Sequence, residues 1–271
     1  MRGSSRVSAR AVQQTFQSVL DGQVDRTRLA EDLFGITAAL DGNIPLRRAV
    51  GDPSREGEPK AALVERLFTG KVSPEAVVVA KKAAGQRWAE ERDLSDTLES
   101  LAVASVVAAA EANGRADQME DDLFRFERIV AGNPGLRDAL TDRRADAESK
   151  EQLVASLLEG KANPEAVRLV RQSVRAPRGR RFDRVLDDYL GIASTRREQL
   201  AATVTTAVAL DGDQQRRLAA ALSSFYDGKK VHLNVIVDPA VIGGIRVQIG
   251  DDVVDGTILR RLEAAKRHLG S

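Results

Sequence analysis

Part of this chain occurs twice, always 90 residues apart. Lys60, Leu63, Val64, Leu67, Gly70, Lys71, Pro74, Glu75, Ala76 and Val77 recur in the same order and spacing as Lys150, Leu153, Val154, Leu157, Gly160, Lys161, Pro164, Glu165, Ala166 and Val167. Leu33-Phe34 returns as Leu123-Phe124, and Leu46-Arg47 with Ala49 as Leu136-Arg137 with Ala139. Unrelated amphipathic helices can share apolar spacing, but not also the glycine, lysine and proline of the loop between them. The pattern is therefore a duplication. Each copy must build the same local structure, and whatever joins the copies must suit both.

The repeated unit reads as helix in short pieces. Val12, Phe16 and Leu20, with Ala11, Thr15 and Val19, give a one-sided helix that stops at Asp21-Gly22, while residues 1–10, basic and serine-rich, read as frayed or as a first helical turn. Further helices are expected over 28–40, 46–50 and 60–68. Ser73-Pro74-Glu75 then starts another, with a hydroxyl at the cap and proline at the first helical position. The joining segment, 94–112, is a long apolar helix ended by Asn113-Gly114. At an offset of 90, its Ala102, Val106 and Ala109 answer Val12, Phe16 and Val19. At 88, Leu94, Leu98, Leu101 and Ala102 answer Phe182, Leu186, Tyr189 and Leu190. One helix would thus close the first bundle and open the second, leaving no flexible linker. Trp88, just before it, reads as an inter-helix anchor.

From residue 203 the period changes. Thr203-Val204-Thr205-Thr206 and the residues to 210 are β-branched or alternate, which suits an edge or first strand. A helix is expected over 214–227. Val231, Leu233, Val235 and Val237 then alternate with His232, Asn234, Ile236 and Asp238, until Asp238-Pro239 stops the strand. Gly243-Gly244 releases the chain into Ile245, Val247 and Ile249, and residues 250–252 turn it into Val253-Val254, closed by Asp255-Gly256. Thr257 can cap a last helix. The expected fold is mainly α: a duplicated N-terminal helical bundle followed by a small α+β C-terminal domain with an antiparallel sheet. Its divisions are 1–93, 94–202 and 203–271.

Composition excludes several chemistries. There is no cysteine, so no disulfide or thiolate site, and only two histidines, His232 and His268, without ligand spacing. Lys+Arg 41 against Asp+Glu 40 leaves no global field for nucleic acid. The densest positive stretch, 175–184, interleaves only Phe182 and runs into Asp183, Asp187 and Asp188, so it reads as a solvated inter-helix loop. Asp251, Asp252 and Asp255 sit in turns, where bonding to local amides accounts for them. Gly243-Gly244 lacks the spacing of a phosphate loop. No catalytic set, cofactor site or metal site is expected. The most apolar window, 101–110, is too short to span a bilayer, which points to a cytoplasmic protein without direct membrane insertion. On these grounds alone, a helical-repeat adaptor binding another protein or nucleic acid would also fit.

The ordered block from Val237 to Gly250, carrying Asp238, Pro239, Ile242, Gly243, Gly244 and Gly250, with Asp255-Gly256-Thr257 after it, resembles the C-terminal signature of the ATP synthase delta subunit, or oligomycin sensitivity-conferring protein, family. The family commonly has serine and leucine where this chain has Ala240 and Val241, and serine in place of Thr257. The likeness covers about residue 94 to the C-terminus, and residues 1–93 look like the extension of actinobacterial members. It implies a non-catalytic peripheral-stalk subunit at the cytoplasmic face of the cell membrane, joining the alpha/beta head to subunit b. It also implies a groove for an alpha-subunit N-terminal helix between the first and fifth helices of a six-helix bundle. Carried onto the second copy, that groove comprises Leu98, Leu101, Ser105, Val106 and Ala109 from one helix and Val167, Val170 and Val174 from the other. The C-terminal domain would engage the end of subunit b, and contact with beta is possible.

Overall fold

The structure, a computed structural model, describes residues 3–142, 144–199, 201–225, 231–239, 241, 243–249 and 252–256. They divide into two compact units, Met1–Ala193 and Ser194–Ser271. The helices are α1 (Gly3–Leu20), α2 (Arg26–Gly42), α3 (Ile44–Gly51), α4 (Gly57–Phe68), α5 (Pro74–Gly85), α6 (Glu91–Ala112), α7 (Ala116–Gly132), α8 (Pro134–Thr141), α9 (Ala147–Leu158), α10 (Pro164–Arg175) and α11 (Phe182–Gln199). Both ends of α2, α3, α4 and α5 reappear 90 residues later as the ends of α7, α8, α9 and α10.

The same devices set the boundaries in both copies. Asn43 Oδ1 accepts from the Leu46 amide at 2.9 Å, and Asn133 Oδ1 from the Leu136 amide at 3.1 Å. Each side chain satisfies an amide that the first helical turn leaves unpaired. Asp32 accepts from the Ser73 amide at 2.8 Å, and Asp122 from the Asn163 amide at 2.7 Å, tying the second helix of each copy to the cap of its fifth. Gly70 and Gly160 hold φ at 77° and 71°, where a side chain would be strained.

α6 is surrounded. Apolar, small or hydrogen-bonded residues lie on all of its faces, and Leu94, Leu98, Leu101, Ala102, Val103, Val106, Val107 and Ala110 are all buried. It packs against α1, α2, α3 and α5 on one side of the duplication and against α7 and α10 on the other. A continuous apolar core therefore runs from Val12, Phe16 and Leu20 of α1 to Val185, Leu186 and Tyr189 of α11. Residues 3–10, expected to be frayed or the first turn of a helix, form the first two turns of α1. Their hydroxyls make it so: Ser5 donates to Asp93 at 2.5 Å and accepts from the Ala89 amide at 2.8 Å, and Ser8 donates to the Arg87 carbonyl at 2.5 Å.

In the second unit the described strands are β1 (Ala201–Thr206), β2 (His232–Val237), β3 (Ile245–Ile249) and β4 (Asp252–Asp255), in the order β2-β1-β3-β4, with helix α12 (Gly212–Phe225) between β1 and β2. The expected antiparallel sheet needs correction: β1, expected as an edge or first strand, is first in the chain but not at an edge. β1 is central, parallel to β2 and antiparallel to β3, with Val204 opposite both Val235 and Val247. The cause is connectivity. A strand-helix-strand link returns the chain to the end from which β1 started, so β2 must run parallel to it. The connector 238–244 is long enough to carry the chain past β1 to its other side. Ala202, Val204, Val231, Val247 and Ile249 form the buried face, on which Leu218 and Leu222 of α12 pack. The helix expected from Thr257 onward lies outside the described residues.

Gly243 and Gly244 have φ of 64° and 85°. A β-branched side chain is costly there, so Gly244→Val should destabilise the second unit by about 2 kcal/mol. Thermal unfolding followed through that unit checks this; an unchanged midpoint would mean that the connector relaxes freely.

Candidate partner-binding surfaces

The second copy's first and fifth helices, α6 and α10, bring the expected groove residues onto neighbouring helices. Leu98, Leu101, Ser105, Val106, Ala109, Val170 and Val174 are buried within the chain itself, and Val167 is half-buried. On the α6 side the neighbour at Ser105 is α2. That helix runs along α6, and the Ser105 hydroxyl donates to the Arg26 carbonyl at 2.8 Å. Ion pairs hold it further along: Glu31 with Arg168 of α10, and Asp41 with Arg178, just beyond α10, at 2.5 Å. α2 can do this because it carries two apolar stripes. Leu29, Leu33, Ile36 and Leu40 fill its own copy, and Ala30, Phe34 and Thr37, on the side that carries Asp41, are buried as well. In α7 the second stripe reads Glu120, Phe124 and Glu127, and Phe124 is 52% exposed where Phe34 is 6% exposed.

The first copy has the corresponding surface on α1 and α5. At the positions of Thr97, Leu101, Ser105 and Arg168 stand Val7, Ala11, Thr15 and Val78. Val7 is 72% and Val78 48% exposed, and Ala11 and Thr15 are half-buried. Arg6, Arg10 and Lys82 are exposed on the same two helices.

Between the copies lies a polar knot. The Arg178 guanidinium, 9% exposed, meets Asp41, Asp96 at 2.7 Å, Glu99 at 2.6 Å and the Ser95 hydroxyl at 2.7 Å, and Glu99 is 4% exposed. Arg180 also binds Glu99 and reaches Asp188 at 3.3 Å, and the Tyr189 hydroxyl donates to Glu99 at 3.2 Å. Burial opposes the charge on Arg178, but Asp41, Glu99 and Asp96 outweigh it and hold the guanidinium protonated more firmly than a free one. Burial raises Asp96 above the usual carboxylate range, while Arg178 draws it down only in part. The expectation that 175–184 is a solvated loop is thus corrected at Arg178, which turns inward with φ of 54°. The signal in the sequence was Ser95, Asp96 and Glu99 on a helix whose second half is almost wholly apolar. Trp88, at the matching position of the first copy, is buried with its Nε1 donating to the Ala83 carbonyl at 2.8 Å.

In the second unit, the signature residues organise the sheet ends. The Asp238 amide donates to the Thr206 carbonyl at 2.9 Å, and the Gly256 amide to the Ile245 carbonyl at 3.0 Å. Pro239 is exposed, Asp255 pairs in register with Arg246, and Ile242 and Gly250 lie outside the described residues. Among the described residues no group of His, Cys, Asp and Glu could hold a metal ion, and no helix is long and apolar enough to cross a membrane.

A family model described as "ATP synthase delta (OSCP) subunit" matches residues 102–269. The chain is 46% identical over 268 residues to the ATP synthase subunit delta of Kineococcus radiotolerans, covering 98% of this chain and 97% of that one. It is 44% identical over 270 residues to the protein of the same name from Streptomyces avermitilis, covering 99% and 98%. A chain in the cryo-EM structure of the Toxoplasma gondii mitochondrial ATP synthase hexamer aligns with a TM-score of 0.32 at 13% identity, covering 62% of this chain and 95% of that one, a likeness too distant to bear on the fold.

Proposed function

The chain belongs to the ATP synthase delta (OSCP) subunit family, and from that premise we propose that its helical unit holds the N-terminal helix of an alpha subunit while its C-terminal unit holds the end of subunit b. As a member it is a non-catalytic peripheral-stalk subunit of a larger ATP synthase complex. Its task is mechanical: rotor torque is converted in the head only if the head is kept from turning with the rotor. In this reading it works on the cytoplasmic face of the cell membrane, with beta close to the alpha contact. The change of partner falls near the end of α11, where the compact units part, while 1–93 and 94–202 serve as two related halves of the head-binding portion.

The observation that carries the reading is α2 lying along α6 and tied to α10. The fold thus accepts a helix at a first-and-fifth helix pair, which is how an amphipathic segment would be held. The groove at Leu98, Leu101, Ser105, Val106, Ala109, Val167, Val170 and Val174 is in this reading occupied from within the chain. Isothermal titration of the intact protein with an alpha N-terminal peptide and a b C-terminal peptide tests the proposal. Both are expected to bind, each without changing the affinity of the other by more than about two-fold. Mutual exclusion, or failure of either peptide to bind, would overturn the division of partners.

A further inference from the structure

We propose that a basic amphipathic helix of another subunit of the complex docks on the exposed face of α7 around Phe124, in the place beside α7 that α10 takes beside α2. This rests on the reading of the chain as a subunit of a larger assembly. It adds a contact on the second helix of the second copy, apart from the α6–α10 pair.

The duplication shows what is missing there. α2 has neighbours from the second copy on two flanks: α6 runs along one, and on the other Arg168 of α10 reaches Glu31. Phe34, between those flanks, is 6% exposed. Its counterpart helix α7 keeps only the first kind of neighbour. α11, which answers α6 at an offset of 88, starts alongside it, with Phe182 meeting Phe126 edge to face at 6.2 Å. Burial, with Asp187 and Asp183 of α11 nearby, holds the Glu127 carboxyl above the usual carboxylate range. On the other flank the repeat has ended, and no α10 counterpart follows. Phe124 is 52% exposed there, beside a hollow of about 490 Å³ that Asp121, Arg125, Arg128 and Ile129 also line. One open aromatic is ordinary by itself. Here the same residue, at the same position of a repeat, is shielded once and bare once.

Charge selects the occupant. Asp121 stands where Glu31 stands in the first copy, and Asp187 answers Glu99. Glu31 takes Arg168, and Glu99 takes Arg178 and Arg180. Among the described residues Asp121, Glu127 and Asp187 have no ion-pair partner. The cations close by are engaged: Arg125 with Asp122 at 3.7 Å, Arg181 with Asp183 at 2.7 Å, and Arg128 over the Phe124 ring at 5.8 Å. Asp121 and Glu127 are about 9 Å apart along α7. The incoming helix should therefore carry lysine or arginine one to two turns apart, bordering an apolar stripe that lies on Phe124. The same carboxylates repel nucleic acid, an anionic lipid surface and an acidic helix.

The absence of cysteine makes the test direct, since Arg128→Cys places the only thiol of the chain beside Phe124. Its reaction with a maleimide is followed in the free subunit and in the purified ATP synthase. Labelling should be roughly ten-fold slower or more in the complex, and a photo-activated crosslinker on the same thiol should join a lysine- or arginine-bearing helical segment of another subunit. Adding Asp121→Lys, at an exposed position, should cut that crosslink roughly five-fold or more. Asp138→Lys, the same change on an exposed position of α8, should leave it within about two-fold. Equal labelling in free and assembled protein, or slow labelling already in the free chain, would overturn the site. So would a crosslink to a second copy of this chain or to a segment without basic residues, or an equal loss from both lysine variants. A parent chain missing from the purified complex would instead remove the reading beneath the proposal, and the site with it.

Discussion

Replacing Arg178 with alanine is expected to destabilise the helical unit by about 3–5 kcal/mol, the range for removing one member of a buried ion pair and leaving the others uncompensated. Arg178 is buried against Glu99 and pairs with Asp96 and Asp41 at its rim, and the last belongs to the other copy. Without the guanidinium Glu99 is left buried without its main counter-charge, while Asp41 and Asp96 keep access to water at the rim. Arg178→Lys should fall between parent and alanine variant, because it keeps the charge but not the planar fork that reaches several acceptors at once. The loss should also depend on pH in a definite direction. Burial already holds Asp96 above the usual carboxylate range, and the variant removes its main counter-charge. A carboxyl whose folded pKa exceeds its unfolded value costs stability above the folded pKa and nothing below the unfolded one. The gap between variant and parent should therefore narrow as pH falls from 7 toward about 4. Denaturant unfolding at several pH values measures this, and a gap that is constant or grows on acidification would show that the pairing is incidental.

Gly57→Ala should cost about 3 kcal/mol, at the upper end for steric overfilling of a close contact. A Cβ at Gly57 would lie 2.3 Å from the Gly85 carbonyl oxygen, and that oxygen is backbone, with no rotamer by which to move aside. The start of α4 and the end of α5 must then separate, disturbing the cover over Val64 and Ala83. The duplication supplies a control. The matching pair in the second copy is Ala147 and Arg175, so α9 and α10 tolerate side chains at that crossing, and Ala147→Gly should change stability by no more than helix propensity, about 1 kcal/mol. Thermal unfolding of both variants decides it. Equal small effects would mean that the Gly57–Gly85 approach can relax without cost.

Much of the helical unit was legible because local chemistry fixes it. The loop glycines, the proline-led fifth helix and the recurring Leu-Phe pair identify the repeat, and a repeat with the same caps reproduces the same helix ends. What sequence could not give is what each repeated residue faces. Phe34 and Phe124 are the same residue at the same repeat position, yet one is covered and the other open; the difference lies in their neighbours, Ala30 and Thr37 against Glu120 and Glu127. Arg178 looked like one arginine in a basic loop, since its partners Asp41, Asp96 and Glu99 are far away in the chain. The sheet was read strand by strand from alternation, which reports burial of a face but not which strands are neighbours. The order β2-β1-β3-β4 follows from the helical crossover and the length of the 238–244 connector. The groove on the second copy was placed by resemblance to a family, and the first copy's α2 lies along it because this chain has a repeat to supply it.

The shared α6 also bears on what changes the chain can tolerate as it evolves. A helix that serves one core can lose or gain a residue near its end and pay only there, since the loop beyond takes up the shift. α6 has no such slack, because its residues answer to one copy on some faces and to the other on the rest. Each residue of an α-helix advances the side chains by about 100°, so one insertion near Ala102 would rotate every later position out of register with both neighbours at once. Substitutions of similar size should accumulate along this helix, while changes in its length should be close to absent. Length variation should collect instead in stretches such as 52–56 and 142–146, where a loop ends on a new cap.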